Sequence, residues 1–408
     1  MSTLSDPGAV VPAVESCPIP CASGQRGLSP ACLPAFFAQV PDPRDPRGRR
    51  HALPVILALA VCAMAAGHGS QDAMAEWCAD APQELLAQVG ARWEALRGRY
   101  VGPEGRTVRR VLQRVDAGVL DAVACGFTAA HTPDPDAGRP VASRPALRAI
   151  AVDGKVLRGS GATGFAAVTL LAALDHVAGT ILAQRQIDSK TNEIPEARIL
   201  LGGMDIAGSV ITMDALHTQR ETARHLHEHD AHYVFTVKAN QPALLEACHR
   251  RITVQGRTNG EHHESERTRG MIRERHLTTA DAAGIDFPGA KQIARIIRYT
   301  RRAGTTGRLT KEVVYVITSL PPELAGPGEL AALVRGHWRI ENQCHYVRDV
   351  AFGEDKSAIS TGTLPRIMAT LRNLVISMLR LAGETNIAKA LRKHARRPEL
   401  LTELLHLI

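Results

Sequence analysis

Aromatic residues and paired cysteines are scarce in this chain. Aromatic residues make up 4% of the 408 positions and hydrophobic residues 45%, which is ordinary for a globular protein with a large buried core. Eight cysteines are present, but only Cys17 and Cys21 lie close together in the sequence. This spacing argues against a disulfide framework and against a paired zinc knuckle, and it fits a reducing cytoplasm.

The sequence also lacks the features of a signal peptide and of a membrane span. Its first ten residues do not show the basic and then apolar order of a signal peptide. The longest apolar run, residues 52–67, is shorter than the roughly 20 residues that a membrane helix needs. We therefore expect a cytoplasmic protein without membrane contact, in which this run forms a buried helix.

Acidic residues are fewer than basic ones, and 41 Asp and Glu against 49 Lys and Arg give a formal net charge of +8. Such an excess favours a polyanionic partner, either nucleic acid or an acidic membrane surface. Arg109 and Arg110 belong to a basic segment with helical periodicity. This helix could lie along DNA phosphates, although a run of charge is often only a solvated face.

Composition divides the chain into five segments. Residues 1–30, rich in Pro, Ser and Gly, are predicted to be a disordered tail. Residues 31–130 show helical patterns and predict a small all-α domain that contacts DNA. Residues 131–146 have linker composition, residues 147–380 alternate between strand and helix patterns, and residues 381–408 predict a C-terminal helical tail.

The segment 147–380 predicts an α/β fold with a mixed sheet and flanking helices. The predicted strands are 147–153, 166–175, 179–187, 209–214 and 232–238, with a helix over 192–204. Three successive strands followed by helix, strand, helix and strand indicate a mixed sheet. A β-rich insertion is expected at about 250–320, with strand patterns at 291–299 and 311–320.

Three acids in this segment are candidates for one site. Asp153 ends the first predicted strand and Asp214 the fourth, and ligands of open α/β sheets bind beyond the carboxyl ends of strands. Glu341 lies on the inward stripe of a predicted helix, at helical offsets from Val334 and His337.

Carboxylates that share a partly buried site repel one another unless a cation compensates. Mg²⁺ accepts carboxylate and phosphate oxygens, and two such ions can promote phosphodiester cleavage and transfer. The acids are far apart in a chain with 41 of them, however, so separate structural roles remain an alternative on spacing alone.

Several longer motifs surround these acids. They read, in order, "VDGKVLRGS", "DSKTNEIPEARILL", "ITMDALHTQ", "YVFTVKANQPALL" and "GHWRIENQCHYVRDVAFGED". This series resembles the DDE transposases of bacterial insertion sequences, in the H-repeat-associated subgroup. The stretch "FFAQVPDPRDPRGRRHALPVILALAVCAMAAG" together with "RTVRRVLQRVD" resembles the domain associated with that catalytic core. The resemblance covers about residues 33–380.

The resemblance implies an RNase H-like core with the catalytic triad Asp153, Asp214 and Glu341, which also bind Mg²⁺ or Mn²⁺, with two ions when DNA is bound. It implies cleavage at the terminal inverted repeats of a mobile element and strand transfer of the 3′-hydroxyl into target DNA. A dimer on DNA is expected because synapsis joins two ends, and the bacterial protein would be associated with the nucleoid. The alternatives are an RNase H-like nuclease without strand transfer and an inactive DNA-binding relic.

The surroundings of the last acid depart from the wider family, in which tyrosine, arginine, glutamate and lysine form a signature. Here Val334 occupies the tyrosine position, His337 the arginine position and Arg348 the lysine position. These departures leave the triad whole but change how a DNA end would be held. His337 and Arg348 are candidate DNA contacts, and Trp338 could stack on a base or be a buried core residue.

Two polar segments follow predicted strands close to the expected site. Lys190 and Asn192 lie in the first, and Lys238, Asn240 and Gln241 in the second. These side chains could contact DNA phosphates or bases, or they could cap helices and form turns.

Histidines offer one other metal site. His225, His229 and His232 could bind zinc if one helix carried all three, but we interpret them as the solvated face of a helix. His217, close behind Asp214, is the better candidate for a contact in the active site.

Overall fold

A computed structural model describes residues 32–135, 147–161, 166–188, 191–256, 258–268, 270–304 and 309–406. The predicted tail 1–30, most of the predicted linker 131–146 and Lys190 lie outside these residues.

The first part of the chain is helical, as predicted. Its helices are α1 (Leu33–Phe37), α2 (Leu53–Ala65), α3 (Gln71–Ala79), α4 (Gln83–Gln88), α5 (Gly105–Leu112) and α6 (Ala117–His131), and β1 (Arg92–Glu94) pairs with β2 (Arg99–Val101) in a small antiparallel hairpin. Helix α2 is the apolar run, and all its residues from Val55 to Ala65 are buried within the protein. In the described part of the chain, every helix is too short or too polar to cross a membrane.

Five strands form one half of a nine-stranded sheet. They are β3 (Ala149–Leu157), β4 (Val168–Asp175), β5 (Ile181–Ile187), β6 (Val210–Met213) and β7 (His232–Val237), in the order β5-β4-β3-β6-β7, with β5 at the edge of the sheet. Strands β3, β6 and β7 are parallel, whereas β4 runs antiparallel to both of its neighbours, β3 and β5. All five predicted strands are therefore confirmed, and the parallel ones are the apolar strands covered on both faces.

Helices pack on both faces of this half of the sheet. On one face, α7 (Glu193–Gly202), α8 (Arg220–Glu228) and α9 (Pro242–His249) follow the strands in sequence. Residues of α7 and α8 share an apolar core with Val152 of β3 and Met213 of β6. On the other face, α10 (Pro327–His337) packs against Ala149 and Val234.

The predicted β-rich insertion continues the same sheet. Strands β8 (Gly260–Thr268), β9 (Met271–Asp281), β10 (Gln292–Arg302) and β11 (Thr310–Thr318) are antiparallel, and β11 pairs with β7. The two strands expected from apolar patterns correspond to β10 and β11. Strands β8 and β9 were not predicted, because the polar sequence of β8 at the exposed sheet edge and the polar first half of β9 show no apolar alternation.

The two ends of the described chain form one helical core. After a π-helical turn at Glu341–His345 come α11 (Tyr346–Ala351), α12 (Leu364–Leu381), α13 (Ile387–Arg396) and α14 (Glu399–Leu405). Buried residues of α12, α13 and α14 share an apolar cluster with those of α1 to α6. The region predicted as a tail at 381–408 is thus built into the same core as the N-terminal helices as far as it is described.

Candidate active site

Asp153 and Asp214 lie side by side at one edge of the sheet. The parallel pairing of β3 with β6 places Val152 opposite Met213, so the next residue along each strand is the acid. Neighbouring strands are about 4.8 Å apart, which brings the two acids together. Asp214 Oδ1 also accepts a hydrogen bond from the Leu216 amide at 3.0 Å, which holds the carboxylate at the start of a 3₁₀ turn.

Glu341 reaches this edge from the helical side. Ile340 and Cys344, which flank it, pack against Ala151 of β3 in a small apolar cluster. Gly336 at the end of α10 allows close contact with the sheet, because a Cβ there would lie 2.2 Å from Nδ1 of His176.

His345 joins Glu341 to Asp153. Its Nδ1 lies 2.9 Å from Glu341 Oε2 and 3.6 Å from Asp153 Oδ2, and the ring is buried. Sequence analysis did not single out His345, although its offset of four from Glu341 placed both residues on one helix face. Among the described residues, Asp153, Glu341 and His345 are the one group whose ligand atoms lie close enough together for a metal ion.

The electrostatics of the acids favour a cation. Burial raises the pKa of Asp153 to about 6, and the charges of Asp214 and Glu193 add to this rise while His345 and the Gly154 amide oppose it. The hydrogen bond from His345 lowers the pKa of Glu341. In the described part of the chain, neither Lys nor Arg forms an ion pair with any of the three acids of the candidate triad. The oxygen-rich donor set therefore fits a divalent ion such as Mg²⁺ or Mn²⁺.

Asp153→Asn is expected to stabilise the metal-free protein near neutral pH. Because the pKa of Asp153 is higher in the folded chain than the ordinary 3.8, the folded state binds more protons between about pH 4 and 6, and wild-type stability falls as pH rises through this window. We expect a gain of the order of 1 to 2 kcal/mol above pH 6 that vanishes below pH 4. Urea unfolding in EDTA at several pH values measures it.

The exposed Asp286, which pairs with Arg220, serves as the control for this prediction. Asp286→Asn should give no stabilisation at any pH, since Arg220 lowers the pKa of Asp286. A loss of stability in Asp153→Asn at pH 7 would contradict the expectation.

The three acids line a cleft of about 330 Å³ that extends toward the insertion. Lys238, at the end of β7, contributes positive charge to its wall, and Arg298 of β10 lies there paired with Glu312 of β11 at 3.4 Å. Trp338 also lines the cleft and is 50% exposed, so the alternative of a buried core tryptophan is wrong. The cleft thus combines an acidic edge with cationic and aromatic side chains.

His337 contributes a neutral ring to the cleft. Its Nδ1 lies 3.3 Å from the Thr212 hydroxyl, and burial lowers the pKa of His337 to about 4. At neutral pH, His337 therefore does not replace the positive charge of the arginine found at this position in the wider family.

Arg348 does not reach the cleft, and the prediction that it contacts a phosphate is wrong for this structure. Its guanidinium is 0% exposed and pairs with Glu354, with Nη2 at 2.7 Å and Nε at 2.9 Å from Oε2. Arg372 donates to the other oxygen of Glu354 at 2.9 Å. The helical offset from Glu341 correctly predicted that Arg348 faces inward. At this position, however, the inward face of the helix packs into the protein core and not along the cleft.

The polar residues after the strands mainly hold the backbone. Asn192 Oδ1 accepts from the Ile194 amide at 3.1 Å and caps α7. Asn240 donates to the Ala215 carbonyl at 2.6 Å, and Gln241 donates to the Thr218 carbonyl at 3.0 Å. These bonds agree with the capping and turn interpretation, and they fix the loop that follows Asp214.

The remaining candidates lie away from the cleft. Arg109 pairs with Asp72 at 2.7 Å, whereas Arg110 is exposed on α5. The ring of His229, directly after α8, lies 4.3 Å from that of His225, but His232 belongs to β7. Among the described residues these histidines do not form a group that could hold a metal ion, so the zinc alternative is not supported. His217 is fully buried just behind Asp214.

A mixed sheet of this order, with acids at the ends of adjacent parallel strands and a third acid from a helix, defines an RNase H-like domain. The model of the transposase DDE domain matches residues 144–378, and that of the DDE_Tnp_1-associated domain matches residues 35–128. The chain belongs to the DDE transposase family.

Two relatives by sequence agree with this membership, and one solved structure is also similar. The chain is 25% identical over 360 residues to the "Putative transposase YncI" of Escherichia coli O157:H7, covering 85% of this chain and 86% of that protein. It is 28% identical over 242 residues to the "H repeat-associated putative transposase YhhI" of Escherichia coli strain K12, covering 56% and 63%. A solved structure of the piggyBac transposase synaptic complex with hairpin DNA is 12% identical, with a TM-score of 0.41 over 92% of this chain and 77% of that one.

Proposed function

We propose that this protein is an active insertion-sequence transposase that cuts DNA at the ends of its element and joins the freed 3′-hydroxyl to target DNA. The observation that carries the proposal is the convergence of Asp153, Asp214 and Glu341 at the edge of one cleft. None of these acids has an ion-pair partner among the described Lys and Arg residues, as a purely structural carboxylate commonly would.

In this proposal, Asp153, Asp214 and Glu341 hold Mg²⁺ or Mn²⁺, with two ions when DNA is bound. Such ions activate a water or a 3′-hydroxyl for attack on a phosphodiester and stabilise the leaving oxygen. Lys238 and Arg298 offer positive charge to phosphate oxygens, and Trp338 offers a stacking surface to a base. His345 holds Glu341 beside Asp153 through the contacts described above.

The decisive experiment is a strand-transfer assay with the terminal repeats that flank the gene. Purified protein with Mg²⁺ or Mn²⁺ should release 3′-hydroxyl ends and join them to a target plasmid. Cleavage without joining would indicate the nuclease alternative, and binding without cleavage would indicate the inactive relic. A complex containing two protein copies and two DNA ends, measured by light scattering, would support synapsis by a dimer.

We further propose that the N-terminal domain binds the DNA backbone through an arginine surface, defined as the exposed arginines of residues 42–51, of the β1–β2 hairpin and of α5. Residues 42–51 meet the segment that directly follows α5, since Arg114 donates to the Pro43 carbonyl at 3.1 Å. The hairpin also lies close to residues 42–51. Burial and the nearby charges of Arg92 and Arg50 lower the pKa of His51.

Most of this arginine surface is uncompensated. In the described chain, several of its exposed members form no ion pair: Arg47, Arg50, Arg92, Arg99, Arg106 and Arg110. Crowding like charges is unfavourable unless an anion binds, and regularly spaced phosphates provide that anion. Leu96 at the hairpin tip is 99% exposed, and Trp93 is also exposed, so apolar side chains stand among these charges.

Replacing Arg92 and Arg99 together by glutamine should weaken DNA binding and also reduce its salt dependence, because phosphate contacts are lost. Each lost phosphate contact lowers the slope of log affinity against log salt by about 0.9. Fluorescence anisotropy with a short duplex of arbitrary sequence, at several salt concentrations, measures this slope. Arg224→Gln is the control, since Arg224 is exposed on α8 and pairs with Glu221. An unchanged slope in the double variant would count against the arginine surface.

A further inference from the structure

Glu193 places a further carboxylate against Gly154, the residue next to Asp153. It is the first residue of α7, and an ideal Cβ built on Gly154 would lie 2.7 Å from its Oε1 and 2.8 Å from its Oε2. Gly154 directly follows Asp153 in β3, and strand alternation turns this position toward α7. A side chain at residue 154 would therefore displace the Glu193 carboxylate, so the glycine is what admits the carboxylate next to Asp153.

Glu193 and Glu341 approach Asp153 from opposite faces of the sheet. Val152, whose side chain shares the face of Gly154, packs with α7, whereas Ala151 packs with Ile340 and Cys344 next to Glu341. Asp153 thus has one glutamate on each side of β3, and the charge of Glu193 adds to the rise that burial causes in the pKa of Asp153.

His217 points its ring at Glu193 and lacks other partners. It is 0% exposed, and its Nε2 lies 3.5 Å from Glu193 Oε2. Within the described residues, neither ring nitrogen makes a hydrogen bond. A buried polar group without a partner costs free energy, and the described contacts of His217 do not offset this cost.

A capping role does not account for this arrangement. Asn192 already provides the side-chain cap of α7. In the described part of the chain, Glu193 forms no ion pair with Lys or Arg, and His217 is its one neighbour that could carry a positive charge within 4 Å. A carboxylate at a helix N-terminus gains a modest stabilisation from the helix dipole, but that benefit does not require placing it against a second carboxylate.

We propose that Glu193 is a fourth carboxylate of the divalent-ion site, shared with Asp153 and held in place by His217. The inference rests on the proposed function, because it assumes that Asp153 binds a metal ion. Two octahedral ions need many oxygen ligands. Glu193 would add a carboxylate from the face of the sheet opposite to Glu341.

The test compares metal-free and metal-loaded full-length protein without DNA. Glu193→Gln removes one negative charge from a crowded site, so the metal-free variant should melt at a higher temperature than wild type. Its stabilisation by Mn²⁺ should be largely lost, and its dissociation constant for Mn²⁺, measured by electron paramagnetic resonance, should rise by about tenfold or more. A structural glutamate would give the opposite change in the metal-free protein.

Two further variants sharpen the test. Glu221→Gln changes an exposed glutamate in the first turn of α8 and should leave both the melting temperature and Mn²⁺ affinity unchanged. Gly154→Ala keeps every charge but displaces Glu193, and it should also weaken Mn²⁺ binding.

The outcomes separate this inference from the proposed function. If Asp153→Asn abolishes Mn²⁺ binding while Glu193→Gln and Gly154→Ala bind within twofold of wild type, the assignment of Glu193 is overturned and the triad stands. If Asp153→Asn also binds Mn²⁺ like wild type, the metal site of the proposed function is overturned with it.

Discussion

Glu341→Gln is expected to reduce cleavage at the element ends by at least about a thousandfold while DNA binding persists. A bound metal ion stabilises the transition state by several kcal/mol, and each 1.4 kcal/mol corresponds to a factor of ten in rate. The side chain of Glu341 is 54% exposed, so its replacement should leave the fold intact. Gel analysis of end-labelled terminal-repeat DNA, with Mg²⁺ or Mn²⁺, measures the rate.

Glu329 provides the matched control for this experiment. It is an exposed glutamate in the first turn of α10 and is not among the residues that line the cleft. Glu329→Gln should cleave at the wild-type rate. Wild-type cleavage by Glu341→Gln would remove Glu341 from the proposed triad, and a loss of DNA binding would point instead to a structural role.

Glu354→Gln is expected to cause the largest loss of stability, about 3 to 5 kcal/mol. Glu354 is buried between the guanidinium groups of Arg348 and Arg372, and its neutralisation leaves both positive charges in the interior. Because Arg348 follows Glu341 on the same helical segment, cleavage should fall as well. Urea unfolding followed by circular dichroism gives the free energy of unfolding.

Asp355→Asn is the control in the adjacent position. Asp355 is partly exposed and lies 3.8 to 3.9 Å from Arg158 and Lys155, so its replacement should cost less than about 1 kcal/mol. If Glu354→Gln does not fold, its combination with Arg348→Met removes one of the uncompensated charges and should recover part of the loss. Equal costs for Glu354→Gln and Asp355→Asn would refute the role of the buried pair.

The placement of the three acids could be predicted from the sequence because its determinants are local. The apolar runs that end at Asp153 and Asp214 predict parallel strands, and acids at the carboxyl ends of neighbouring parallel strands meet. Helical periodicity likewise turned Glu341 inward. The positions of these three acids follow from short stretches of sequence.

Other features depend on partners that are distant in sequence. Periodicity shows that Arg348 faces inward, but only the packing of α12 brings Arg372 to the other side of Glu354. Strand β8 carries polar residues on both faces and is defined by its backbone pairing with β9. The closeness of Glu193 to Asp153 depends on Gly154, whose contact with α7 no local pattern reveals.

The helical core built from both ends of the chain has a consequence for synthesis. The apolar cluster that contains the buried residues of α2 also contains Leu391 of α13 and Leu401 and Leu405 of α14. A nascent chain therefore exposes the hydrophobic surface of its first helices until the last segment has left the ribosome. Element copies whose gene is interrupted before these codons should yield aggregation-prone fragments that cellular proteases remove, rather than a stable protein that competes with the intact enzyme for DNA ends.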